Sequence, residues 1–217
     1  MLIHKQMKNE KIKNIIFDLG DVILNIDVPI ASRSFAELSG KEQSEILTIF
    51  QENDIFRQFE TGELDEEGFR NFVRRIIGFN DLSDDAIDTA WNSLLLDLPP
   101  ERVELLQKLR MNYRLFLLSN TSSIHILQVN KILEASTGIE KLQDLFDTVF
   151  LSYEMKLMKP DPRIYQKVLE QAGLNAEETL FLDDNAANIE SASKLGIDTI
   201  HVQKPLTILD YLKDYAV

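Results

Sequence analysis

Asp18, Ser119, Lys159 and the pair Asp183-Asp184 are the side chains in this sequence best suited to chemistry on an anion. A carboxylate can attack as a nucleophile, a hydroxyl and an ammonium can hold anionic oxygens, and an acidic pair can hold a divalent cation. Singly, each has an ordinary explanation. An Asp after a strand commonly forms a turn or caps a helix, and the pair Ser119-Asn120 fits a cap equally well. Lys159-Pro160 reads as an element boundary and Asp183-Asp184 as solvated charge. What distinguishes them is placement, because each stands at or just beyond the end of a short apolar run.

Those runs cover residues 14–17, 114–118, 148–151, 179–182 and 199–202. They are β-branched-rich and do not alternate cleanly, which predicts strands buried on both faces. Helical patterns lie between the later runs. Residues 101–110 follow Pro99-Pro100 and put Val103, Leu106 and Leu109 on one face. Asp161 is an N-cap candidate ahead of Pro162, with Ile164, Tyr165, Val168 and Leu169 as an apolar stripe and Gly173 as the stop. Residues 186–195 end before Gly196. Strand–helix alternation of this kind predicts an α/β fold, a Rossmann-like parallel sheet flanked by helices. In such sheets ligands bind beyond the carboxyl ends of the strands, where the acid, the hydroxyl, the cation and the acidic pair all converge.

The interval between the first two runs breaks the rhythm. Residues 28–98 contain no convincing strand and read as helices around 30–38, 41–50, 65–77 and 84–95, with a turn at 59–64. We therefore expect an α/β core of residues 1–27 and 99–217 and an inserted helical cap of residues 28–98, with hinges near Val28 and at residues 97–100. Inserted lids are where substrate selection tends to sit.

Bulk properties exclude several functions. The formal net charge of −13 disfavours nucleic acid and anionic membranes as partners. It leaves room for an anionic substrate, because a bound divalent cation inverts the potential locally. There is no cysteine, so disulfide and thiolate chemistry are absent. The first residues, MLIHKQMKNEKIKN, are charged and lack the apolar run of a secretory signal, and no stretch is long enough to span a membrane. The expected localisation is cytoplasmic.

With these motifs in order, the sequence resembles the haloacid dehalogenase superfamily along nearly its whole length. Asp18 matches the nucleophile of its first motif, Ser119 the second, Lys159 the third and Asp183-Asp184 the fourth, and the insertion resembles its helical cap. The stretches Phe17-Asp18-Leu19-Gly20, Leu118-Ser119-Asn120-Thr121 and Asp183-Asp184-Asn185-Ala186-Ala187-Asn188-Ile189 are most similar to bacterial phosphatases of hexose 1-phosphates. Similar motifs occur in the phosphatase domain of soluble epoxide hydrolases. The resemblance implies a magnesium-dependent phosphatase of a small phosphorylated metabolite, a sugar phosphate by this comparison. It implies Mg2+ held by Asp18, Asp184 and the Gly20 backbone carbonyl, with Asp183 in support. Ser119 and the Asn120 N–H would hold phosphoryl oxygens and Lys159 would neutralise charge. Asp18 would attack in line, giving an aspartyl phosphate that water hydrolyses.

Two departures matter. Most phosphatases of this superfamily carry an acid two residues after the nucleophile, where this chain has Gly20; Asp21 is one residue further and its side chain is expected to point elsewhere. Asp27, His125 or a water is left to supply the proton, with His125 reading first as a helix-surface residue. Alternatively, an acidic anomeric leaving group needs less help. Lys156 is a second lysine near the third motif and reads as a surface residue. Three other readings use the same core. A mutase of the β-phosphoglucomutase type lacks its acid–base group here, a dehalogenase needs no Asp183-Asp184 pair, and a non-catalytic phosphate-binding relative remains compatible with Gly20.

Overall fold

The computed structural model describes residues 10–216. Most of the N-terminal stretch read above as lacking a secretory signal, residues 1–9, lies outside them. Five parallel strands form one sheet in the order β3-β2-β1-β4-β5. They are β1 (Asn14–Phe17), β2 (Arg114–Ser119), β3 (Thr148–Leu151), β4 (Thr179–Asp183) and β5 (Asp198–His201). The strand positions expected from the apolar runs agree to within a residue or so at each end.

The alternation hidden inside those runs now separates into two faces. Ile15, Phe17, Leu115, Leu117, Leu180 and Leu182 point to one side, where they meet helices α6 (Pro100–Leu109), α7 (Ser123–Thr137) and α11 (Ile208–Tyr211). Ile16, Phe116, Leu118 and Phe181 point to the other, against α9 (Pro162–Ala172) and α10 (Ala186–Ser193). Both faces are covered, so each strand reads as continuously apolar. Each large side chain buried in this way contributes roughly 1.5–3 kcal/mol.

The register aligns the strand ends. Phe17 pairs with Leu117 on β2 and with Leu182 on β4. Asp18 therefore stands level with Leu118 and Asp183, and its N–H extends the ladder to the Leu182 carbonyl at 2.9 Å. The chain leaves β1 towards β2 and leaves β4 towards β5, in opposite directions along the sheet. That reversal opens a crevice between β1 and β4 at their carboxyl ends.

Between β1 and β2 lie five helices, α1 (Val28–Ser39), α2 (Gln43–Asn53), α3 (Ile55–Glu60), α4 (Glu66–Ile77) and α5 (Asp84–Asn92). Local signals set their ends. α1 has Pro in its first turn and stops at Gly40 with φ 64, and the Asp65 side chain caps α4 by accepting from the Gly68 N–H at 2.8 Å. The helices enclose a core of their own, including Phe35, Phe50, Phe59, Phe69 and Trp91, joined by Ile124 from α7. Where this insertion meets the sheet domain, the two connecting segments pair with each other. Asn25 and Leu96 each donate an N–H, to the Asp97 and Asn25 carbonyls respectively, and Asp27 donates to Leu94, all at 2.9 Å. The crossing lies at residues 25–27 and 94–97, slightly N-terminal to the hinges expected near Val28 and at 97–100. The remaining short helix, α8 (Ser152–Met155), follows β3 and touches α3. No helix among the described residues is long and apolar enough to cross a membrane.

Candidate active site

Lys159 organises the rim of the sheet. Its ammonium donates to Asp18 Oδ1 at 2.7 Å, to Asp183 Oδ2 at 2.7 Å and to the Leu118 carbonyl at 2.9 Å. All three N–H groups are thus used, and the side chain is 1% exposed. Asn120 holds the Lys159 backbone at two points, donating Nδ2 to its carbonyl and accepting its N–H, each at 2.8 Å. The Asn120 side chain therefore positions the lysine. Burial alone would lower the Lys159 ammonium, but Asp18 and Asp183 together outweigh it and hold it above the ordinary lysine range.

The two members of the acidic pair differ sharply. Asp183 is fully buried. Besides Lys159 it accepts the Asn185 N–H at 2.8 Å and the Asn188 amide at 3.0 Å on each oxygen. Asp184 is exposed, and burial of part of its surface, reinforced by Asp183 and Asp21, raises its carboxyl. Asp18 is raised to about 7, by burial first, with Lys159 opposing and Asp183 adding. One carboxylate oxygen from each of Asp18, Asp183 and Asp184 lies within 4.8 Å of the others. Three carboxyls this close repel one another unless a cation intervenes, so the donor set fits a hard divalent metal.

A cavity of about 300 Å³ opens from this rim beneath the helical insertion. Gly20, Ser119, Asn120 and Thr121 form its floor, and Ile26, Phe50, Phe56, Trp91 and Leu95 supply apolar walls. Its size is at the small end of the ~300–1,000 Å³ typical of small-molecule sites.

The sequence expectations divide here. Asp18, Lys159, Asp183 and Asp184 come together, with Ser119, Asn120 and Gly20 beside them. Asp21 turns away, as expected. It has φ 54, and its carboxylate accepts the Ile26 N–H at 3.2 Å and pairs with Lys204 at 2.8 Å. Asp27 is absent from the cavity lining, and its carboxylate lies 3.8 Å from Arg33. His125 is not a helix-surface residue. It is buried in the cavity wall, stacked on Trp91 with ring centroids 4.5 Å apart, and its Nδ1 lies 2.9 Å from Asn92 Oδ1. Burial lowers it to about 3, so the imidazole is neutral. The reason is that α7 is sandwiched between the sheet domain and the insertion and buries residues on both sides. Lys156 is exposed but engaged, donating to the Gly62 carbonyl at 2.7 Å.

Sequence reasoning missed Glu60. It was read as part of a turn, yet it ends α3 and lines the cavity. Burial, then the charge of Asp18, raises it to about 7, against Lys159. No local sequence pattern marks it, because its position depends on how the insertion folds over the sheet.

Residues 12–196 match the haloacid dehalogenase-like hydrolase family. The chain is 30% identical over 188 residues to D-ribitol-5-phosphate phosphatase of Bacteroides thetaiotaomicron, covering 87% of this chain and 90% of that protein. It superposes on a HAD family enzyme from the same organism, crystallised with magnesium and inorganic phosphate, with a TM-score of 0.82, 38% identity and coverage of 90% and 96% of the two chains. A HAD-like family hydrolase from Porphyromonas gingivalis superposes with a TM-score of 0.84, 30% identity and coverage of 94% and 97%.

Proposed function

Because the chain belongs to the haloacid dehalogenase-like hydrolase family and is a magnesium-dependent phosphatase, we propose that it hydrolyses the phosphomonoester of a small sugar or polyol through an aspartyl phosphate on Asp18. The observation that carries this reading is the Lys159 ammonium shared between Asp18 and Asp183, with Asp184 exposed beside them. In this reading Asp18, Asp184 and the Gly20 carbonyl hold magnesium and Asp183 supports them. Magnesium, when bound, offsets the repulsion between the carboxylate and a phosphate dianion.

The chain's own groups do the rest. Lys159 holds one Asp18 oxygen, and the other would attack phosphorus. Ser119 and Asn120 line the cavity floor, where the Ser119 hydroxyl and the Asn120 N–H would hold phosphoryl oxygens. Attack by Asp18 forms the new P–O bond as the ester oxygen leaves, and water then cleaves the aspartyl phosphate. Residues 28–98 act as a cap, and the cavity beneath them holds the leaving group.

The name of the Bacteroides relative supports a phosphorylated polyol or sugar as substrate, and the modest cavity suits a metabolite of that size. Phosphate release should be measured over sugar 1-, 5- and 6-phosphates, polyol phosphates, nucleotides and phosphoglycolate, with magnesium and with a chelator. We expect sugar or polyol phosphates to lead and the chelator to abolish turnover. Release that is strongest with nucleotides would overturn the substrate reading, and chelator-resistant turnover would overturn the metal-dependent mechanism.

A further inference from the structure

An alkoxide leaving a phosphate ester needs a proton as the P–O bond breaks, and the sheet domain offers no donor at position 20. Gly20 has no side chain, and a Cβ there would lie 2.8 Å from Ile26 Cδ1, so Ile26 fills the space an acid would use. Across the cavity, Glu60 is the acidic side chain among the described lining residues. We propose that Glu60, reaching in from the helical insertion, protonates the leaving oxygen and then takes a proton from the water that cleaves the aspartyl phosphate. The inference rests on the phosphatase reading above.

Three observations support it. First, no hydrogen bond or ion pair among the described residues engages the Glu60 carboxyl. The charges around it are committed elsewhere: Arg57 to Asp54 and Glu63, and Lys156 to the Gly62 carbonyl. His125, the other ionisable group in the wall, is neutral. An unpartnered carboxyl facing an apolar cavity is costly as structure alone. Second, Glu60 lines the same cavity as Gly20, Ser119 and Asn120 at the rim of the sheet. Third, its position is fixed. Phe59 stacks on Phe69 with centroids 4.3 Å apart, and the Thr61 N–H and hydroxyl both bond the Arg57 carbonyl at 2.8 Å. A carboxyl raised to about 7 holds a proton over much of the neutral range, which suits the first step.

The protons balance. As an Asp18 oxygen bonds phosphorus, the leaving oxygen takes the Glu60 proton and departs as an alcohol. Water then attacks phosphorus and passes a proton to the Glu60 carboxylate, and the bond between Asp18 and phosphorus breaks with its electrons returning to Asp18. Inorganic phosphate leaves, and Asp18 and Glu60 are as they began.

The test is kcat/KM at saturating magnesium for wild type, Glu60→Gln and Glu60→Ala, using p-nitrophenyl phosphate and n-propyl phosphate. Neither ester has a further hydroxyl, so hydrogen bonding to a sugar cannot contribute. Loss of an acid should cost the propyl ester about 10²–10⁴-fold in both variants and leave the aryl ester within about threefold. Equal losses on both esters would mean a structural role. No loss on either would make Glu60 a bystander, and Gln retaining the rate that Ala loses would reduce it to a hydrogen-bonding residue. Each of these overturns the proposal. Aryl turnover by wild type checks the phosphatase reading separately, and a wild type that cleaves neither ester overturns both.

Discussion

Lys156 Nζ donates a 2.7 Å hydrogen bond to the Gly62 carbonyl and so ties the helical insertion to the sheet domain two residues from Glu60. Gly62 has φ 64, and a Cβ on it would overlap the Tyr153 carbonyl oxygen and the Lys156 ammonium. Gly62→Ala must therefore lift the turn off α8 and carry Glu60 with it. We expect kcat/KM to fall at least about tenfold, since small misplacements of reacting groups are expensive. Lys156→Ala loses one exposed hydrogen bond, worth about 0.5–1.5 kcal/mol, and should change kcat/KM little. Wild-type kinetics for Gly62→Ala would show that this docking does not set the cavity.

The sheet was legible because burial on both faces leaves an unbroken apolar run, as in Asn14–Phe17, ended by a polar residue at the rim. Asp18, Asp183 and Asp184 were legible for the same reason: strand register aligns the ends of β1 and β4 wherever the insertion goes, and Asn120 beyond β2 holds Lys159 beside them. The buried faces of α7 are not legible because its apolar residues serve two cores. Ile124 joins the insertion, while Ile126, Val129 and Leu133 join the sheet domain, which blurs any single stripe. α3 has six residues, too few for a helical period to show. Glu60 and His125 take their meaning from where these two helices pack, and nothing near them in sequence encodes that.

The contrast between the paired acids predicts separable lesions. Asp183→Ala would leave the Lys159 ammonium buried with one of its two carboxylates gone. Breaking a buried pair costs about 3–5 kcal/mol, so a large drop in melting temperature is expected. Asp184 is exposed and makes no such pair among the described residues. Asp184→Ala should keep the metal-free melting temperature and lose the upward shift that magnesium gives wild type. Thermal melts of both variants with and without magnesium decide this, and the reverse pattern would exchange the roles assigned to the two residues.

Asp18→Asn should abolish phosphate release, because the amide is a poor nucleophile. It also makes a prediction about stability. The Asp18 carboxyl rises from 3.8 to about 7 on folding, so the fold disfavours the charged form. Below about pH 4 both states are protonated and there is no cost. Between about 4 and about 7 the unfolded chain ionises first and wild type loses stability, and above about 7 the loss is constant. Metal-free Asp18→Asn cannot titrate there, so its melting temperature should climb relative to wild type across that window. Magnesium should narrow the gap by stabilising the wild-type carboxylate. A gap independent of pH in chelator would show that the fold does not raise Asp18.

Ile26 and Glu60 make opposite contributions to one problem, the proton for the leaving group. A side chain at position 20 meets Ile26 Cδ1 at 2.8 Å, with Cγ1 at 3.6 Å and Cγ2 at 3.8 Å. The clash is with the far end of a flexible side chain, so Gly20→Asp should fold with reduced stability. Ile26→Val removes the offending methyl for about 0.5–1.5 kcal/mol. The double variant Gly20→Asp/Ile26→Val should therefore melt higher than Gly20→Asp alone. If position 20 then supplies the acid, n-propyl phosphate should be cleaved in this background with Glu60→Gln costing far less than it does in wild type. Measuring Glu60→Gln in both backgrounds completes the cycle. An undiminished effect of Glu60→Gln would mean that an acid on the sheet side cannot reach the leaving oxygen, and that the proton has to come from the insertion.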